Sequence, residues 1–321
     1  MLFHPLCCRI PATAQTHRTS PAYGSEMNNH TEGLLAVHSA VFIFGLTALF
    51  SKLISLPALD ITFLRSIFAF IAIGVYIRFK GERLALDSTR SYLVAFLLGI
   101  LLASHWVTYF HAMQVSSIAV GVIALYTFPV ITVFIEPLFH GERPHLKDII
   151  SAFAVFLGIY LIVPEFSYDN AAFQGIFWGV LSALLFALRN TIHGRFFGAH
   201  SARHALFYQT ITVALVLLPL GAMQVPEVSS VQWQQLLLLG IAFTALPHTL
   251  FAHSLLHLKA KTASLVACIQ VVYATLFAAF LLQEWPSLET VIGGTIVVSA
   301  AVFETLTAGK SKPSREPEAR H

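Results

Sequence analysis

Ten apolar runs follow one another through this chain, near residues 34–54, 61–79, 91–113, 117–138, 148–164, 172–192, 204–224, 234–256, 262–283 and 287–306. About 20 apolar residues wound as a helix cross the ~30 Å hydrocarbon layer of a bilayer. The runs are continuous rather than alternating, and a helix satisfies its own backbone polar groups in lipid, so helices are expected rather than a β-barrel. The chain is 56% hydrophobic and 11% charged, with a mean hydropathy of +0.74. A soluble domain carries roughly 45–50% apolar and about 25% charged residues. The expected fold is therefore an all-α membrane protein of ten transmembrane helices, and 321 residues leave no room for a separate soluble domain.

Loop charges set the expected orientation, because cytoplasmic loops carry the excess of Lys and Arg. Sixteen of the 19 basic residues fall on one side, in the two tails and in the loops after the second, fourth, sixth and eighth runs. The opposite loops, 56–60, 114–116, 165–170, 224–232 and 283–286, contain none. Both termini are thus expected in the cytoplasm, with the protein in the cell (inner) membrane. The net charge of +3 is spread over short loops, so no nucleic-acid partner is expected. Cys7, Cys8 and Cys268 have neither metal nor disulfide spacing. Residues 1–30 read as a disordered N-terminal tail without a signal peptide, 307–321 as a cytoplasmic tail, and translation from Met27 rather than Met1 stays open.

An offset of 142 residues superposes His111 on His253, Glu142 on Glu284, Pro144 on Pro286, Leu146 on Leu288 and Ile150 on Ile292. The matches fall at equivalent places in two halves, 31–165 and 171–306. Five helices per half is odd, so the second half enters the membrane from the opposite face. Inverted repeats of this kind build many secondary transporters, with the substrate held between the halves.

The halves also carry Phe44-Gly45 followed by Lys52, Phe63-Leu64-Arg65 opening the second run, and an Ala-rich 3–4 hairpin with Pro129. Gly141-Glu142-Arg143 closes the fourth run, Leu188-Arg189-Asn190 lies in the sixth, and Glu284 follows the ninth. On these residues the chain resembles the EamA-type transporters of the drug/metabolite superfamily over nearly all of 34–306. The resemblance implies a ten-helix carrier, often an exporter, whose central cavity is lined by both halves. Gln270-Val271 stand where many relatives have a proline, which removes the reason for the ninth helix to bend as the fourth does at Pro129.

Lys52, Arg65 and Arg189 are the basic residues inside apolar runs, where charge is expensive and usually tied to function. Either they snorkel or pair, for example with Asp60, or they gate the two mouths and steer an anionic group inward. His111 and His253 are candidates for proton coupling because imidazole titrates near neutrality, and Glu136 is a third. Trp106, Tyr109, Tyr126, Asn190, His248, Gln270 and Tyr273 are the candidate substrate-binding residues. Pro129 and Pro247 each remove a backbone donor within a run, freeing the carbonyls of Leu125 and Phe243.

The expected function is secondary-active transport, in the export direction, of a small polar metabolite such as an amino acid or organic acid. Alternating access supplies the mechanism, and neither a catalytic residue, a metal nor a cofactor is expected. The expected partners are the substrate, the bilayer and a coupled proton, with a homodimer left open. The rival readings are a membrane metal enzyme built on His253 and His257, four apart, and a non-transporting pore. The first lacks further histidine clusters, and no G-x-S-x-G, H-E-x-x-H or Walker-type loop occurs.

Overall fold

A computed structural model of the chain describes residues 22–308 apart from 141–144, 164, 199, 222–224, 226 and 259. Residues 1–21 and 309–321 of the tails, with Cys7 and Cys8, and the Gly141-Glu142-Arg143 motif lie outside the described residues. Ten helical units follow in order: α1 (Ala22–Thr47, prolonged by Phe50–Leu53), α2 (Ala58–Phe79), α3 (Thr89–Val115), α4 (Ile118–Leu125 with Phe128–His140) and α5 (Leu146–Ile162). The second half repeats the count: α6 (Ala171–Phe196), α7 (Ala202–Gly221), α8 (Ser230–Gly240 through Leu246–Ser254), α9 (Ala260–Ala267 with Ile269–Leu282) and α10 (Leu288–Ala308). Among the described residues 9 helices are long and apolar enough to cross a membrane. The tenth unit, α5, has 17 residues, or about 26 Å at 1.5 Å per residue, and lies along α10. The first helix starts at Ala22, inside the segment expected as a tail, so residues 22–30 are helical.

The face where α1 starts is called proximal below, and the face that it reaches at Lys52 distal. Contacts between the halves come in pairs related by the repeat. Helix α3 packs on α6, and its mate α8 packs on α1; α4 packs on α6 as α9 packs on α1; α3 meets α7 as α8 meets α2. The pairs α2 with α7, α4 with α9 and α5 with α10 are their own mates. This is the contact pattern of two inverted five-helix repeats about one pseudo-twofold axis. Helices in lipid gain little from hydrophobicity against one another, so close backbone approach matters. Gly158 of α5 and Gly293 of α10 provide it: a Cβ on Gly158 would lie 2.7 Å from the Gly293 carbonyl oxygen.

Besides α1, broken at the buried Ala48-Leu49, three helices are interrupted where they meet the interior. In α4 the break falls at Tyr126-Thr127, just before Pro129, with Thr127 N donating to Ala124 O at 3.2 Å, the shorter i to i−3 pattern. In α8 a π turn over Ile241–Ala245 precedes Pro247, and the freed Phe243 carbonyl accepts the Thr47 hydroxyl of α1 at 3.0 Å. The ninth helix corrects the expectation drawn from its missing proline. It breaks at Cys268, which the 142-residue offset superposes on Tyr126, and the Ala267 carbonyl accepts the Tyr126 hydroxyl. A side-chain donor from the opposite half does here what proline does elsewhere, holding a carbonyl outside the helical ladder.

Candidate functional site

Arg65 enters the interior from the middle of α2 and is only 2% exposed. Its guanidinium lies 4.1 Å from the Trp106 ring centroid and 4.4 Å from that of Phe110, both on α3. Desolvated cation–π contacts are worth about 2 kcal/mol, less than the cost of several kcal/mol for an unpaired buried charge. Among the described residues no carboxylate forms an ion pair with Arg65 or Arg189, and the Arg65 Nε is buried without an acceptor.

Arg189, from α6, is held by amides rather than acids. Its Nε and Nη2 donate to Gln209 Oε1 at 3.0 and 2.6 Å, and its Nη1 to Asn190 Oδ1 at 2.9 Å. Gln209 of α7 is fully buried, and its own Nε2 finds no partner. The amides fix the guanidinium without neutralising it, so its positive charge stays available.

Two imidazoles lie within electrostatic reach of both arginines. His105 Nδ1 meets Ser182 Oγ at 2.8 Å and Ser182 O at 3.1 Å, while the Ser182 hydroxyl donates to His105 O at 3.0 Å. His248 Nδ1 meets Thr244 O at 2.7 Å. A carbonyl only accepts, so both rings carry the proton on Nδ1 and keep Nε2 for another partner. His248 also faces the rings of Phe44 at 4.8 Å and Trp106 at 6.1 Å, and His105 stacks on Phe186 at 4.8 Å. Tyr126, its hydroxyl 3.1 Å from Gln270 Oε1, joins α4 to α9. The Tyr109 hydroxyl, directed toward Gln270, closes no hydrogen bond of ordinary geometry.

The structure thus gathers Arg65, Trp106, Tyr109, Tyr126, Arg189, Asn190, His248 and Gln270 around the region where the halves meet. Its buried groups without acceptors, Arg65 Nε, Tyr109 Oη and Gln209 Nε2, are all donors. His105 and Gln209 complete the arrangement and were not singled out as site residues from the sequence. A histidine or glutamine in an apolar run carries no spacing that marks it, and only the fold shows what it faces.

Other sequence candidates lie elsewhere. Lys52 is exposed at the distal face, where its Nζ donates to Ser116 O at 2.8 Å and Gln114 O at 3.2 Å, tying α1 to the α3–α4 turn. Beside it Glu284 accepts from Ile118 N, the first residue of α4, at 3.1 Å. His111 packs edge-on against Trp178 of α6 at 5.1 Å. Tyr273 stacks with Phe277 at 6.1 Å and meets Phe42 of α1. Glu136 is exposed near the proximal end of α4, and His253 pairs with Glu32 at 2.9 Å on the proximal face. Glu304 of α10, not noted from the sequence, is 2% exposed and its carboxylate has no hydrogen-bond partner.

Comparison with known proteins agrees with this architecture. The model of the EamA-like transporter family matches twice, at residues 31–163 and 173–306. The chain is 25% identical to the uncharacterized transporter YxxF of Bacillus subtilis (strain 168), over 85% of its own length and 89% of the relative's. It is 26% identical to the pseudopaline exporter CntI of Pseudomonas aeruginosa, over 84% and 94% of the two chains. It is 23% identical to the S-adenosylmethionine uptake transporter of Rickettsia prowazekii, over 81% and 87%. A solved structure of 16% sequence identity superposes with a TM-score of 0.57, covering 87% of this chain and 98% of its own. Two matches to one family model, one for each five-helix half, together span most of the sequence, and the chain belongs to the EamA-like transporter family.

Proposed function

We propose that this protein is a secondary-active carrier of a small polar metabolite bearing a carboxylate or another anionic group, moved by alternating access between the two halves. One observation carries the reading: two interior arginines, Arg65 and Arg189, have no carboxylate partner among the described residues. An anionic substrate supplies the missing countercharge, the acceptor-free donors bind its oxygens, and Trp106, Tyr109, Tyr126 and Phe186 cover its apolar part. Mutual burial of substrate anion and arginine releases the desolvation cost that the empty site carries.

The loop-charge asymmetry supports an inner-membrane location with both termini in the cytoplasm. Relatives named as an exporter and as an uptake transporter give no common direction, and gradients rather than the fold set the direction of net flux. His105 and His248, which face the arginines, are better placed to couple protons to substrate than His111, His253 or Glu136, which lie outside this arrangement. Such coupling competes for the free Nε2 positions, whose protonation adds positive charge beside the anion.

The test is exchange by purified protein in liposomes, loaded with a panel of labelled amino acids, organic acids, sugars and amines, with and without an imposed pH gradient. Saturable exchange confined to compounds with an anionic group is the expected result, and His248→Gln is expected to lose any dependence on the pH gradient. Exchange of sugars or amines alone sinks the reading.

A further inference from the structure

On the proximal face, away from the interior arginines, three side chains with good metal-ligand chemistry converge. Glu32 comes from α1; His253 comes from the last turn of α8, and His257 lies one turn further on. His253 Nε2 is 2.9 Å from Glu32 Oε1, the two imidazole centroids are 5.0 Å apart at an interplanar angle of 72°, and one ligand atom from each residue lies within 4.8 Å of the other two. The His253 and Glu32 side chains are 41% and 54% exposed, so an aqueous ion reaches them without crossing the core.

We propose that Glu32, His253 and His257 form a binding site for a borderline divalent transition ion, with Zn²⁺ as its representative, that staples α1 to α8 at the proximal face. Zn²⁺ binds imidazole nitrogen and carboxylate oxygen at about 2.0–2.2 Å in tetrahedral sites, which sets ligand atoms roughly 3.4 Å apart, within the 4.8 Å that encloses these three and wider than the 2.9 Å between His253 Nε2 and Glu32 Oε1. Rotamer changes of these half-exposed side chains supply the adjustment, and the ion replaces the proton shared between His253 Nε2 and Glu32 Oε1. His253 lies in the last turn of α8 and His257 in the turn that follows it, and this turn brings the two imidazoles together. A single carboxylate with two imidazoles favours Zn²⁺ over the hard ions Mg²⁺ and Ca²⁺, which take mainly oxygen. Water completes the coordination. Helix α1 packs on both α8 and α9, so an ion across this junction resists the separation of the halves at that face.

The test is calorimetric titration of tag-free protein in detergent with ZnCl₂, beside Glu32→Gln, His253→Ala and His257→Ala. The variant His257→Ala discriminates best, because it spares the Glu32–His253 hydrogen bond. Expected are one Zn²⁺ per chain, weakening by at least about tenfold in each variant, no saturable heat with MgCl₂, and a Zn²⁺-dependent rise in thermal midpoint that His257→Ala loses. Absence of stoichiometric binding overturns the proposal. So does binding that His257→Ala leaves unchanged, whether or not the other variants fold.

Discussion

Arg65 holds a full charge on an aromatic surface, almost shut off from solvent, with no acid to pair with. Replacing a buried unpaired charge by an apolar group of similar length relieves desolvation. Arg65→Met is therefore expected to raise the thermal midpoint in detergent, by a stabilisation of about 1–3 kcal/mol, while abolishing transport. A variant that loses both stability and transport would make Arg65 a packing residue. Glu284 gives a prediction of the opposite electrostatic kind. Its burial pushes the carboxyl above the usual 4.5, partly offset by the nearby Lys52 charge and the Ile118 N–H. The folded state then holds a proton that the unfolded chain has released, so this contribution to stability falls as pH rises from about 4.5 through the raised value. Glu284→Gln removes the titration, and its thermal midpoint is expected to decline less than wild type across that window. Identical profiles would contradict the assignment. At this scale the sequence marked the arginines well, because charge in an apolar run stands out, whereas Gln209 and His105 became legible only once their partners on other helices were known.

Among the elements, the interrupted helices connect local chemistry to the site. Pro129 and Pro247 pointed directly to two breaks, since a residue without an N–H leaves a carbonyl unpaired whatever the tertiary fold. The break at Cys268 had no such marker, because the Tyr126 hydroxyl that takes the Ala267 carbonyl comes from 141 residues away in sequence. Thr47 plays the matching part on α8 through the Phe243 carbonyl at 3.0 Å. Thr47→Val keeps the shape and deletes the donor. It is expected to cost about 1–2 kcal/mol, read as a lower thermal midpoint, and an unchanged midpoint would mean that the freed carbonyl is satisfied without Thr47. The start of α1 at Ala22 shows a different limit. The polar residues ahead of the first span carry no apolar periodicity, so helix continuing beyond the span leaves no trace in hydropathy.

For the whole molecule, inversion was readable from an odd number of spans per repeat and from loop charge, and the paired contacts between halves follow from it. What hydropathy does not encode is how closely the halves approach. The Gly158–Gly293 crossing sets that spacing for α5 and α10, and Gly158→Ala puts a methyl against the Gly293 carbonyl. Backbone does not yield as a side-chain tip does, so the variant is expected to lose about 1–3 kcal/mol of stability, measured by thermal unfolding in detergent; full stability would mean that the two helices separate freely. Each half contributes one interior arginine, Arg65 of α2 from the first and Arg189 of α6 from the second, at positions that the repeat does not equate, and both lie within electrostatic reach of His105 and His248. The most direct test of the carrier account compares exchange of a transported carboxylate with that of its uncharged amide, in liposomes containing wild type, Arg65→Gln or Arg189→Gln. Wild type is predicted to favour the carboxylate by roughly 30-fold or more, as removal of a buried charge partner costs about 2–5 kcal/mol, and each variant to lose most of that preference. Equal exchange of acid and amide by wild type, or undiminished preference in both variants, would contradict the claim that the arginines bind the substrate's anion.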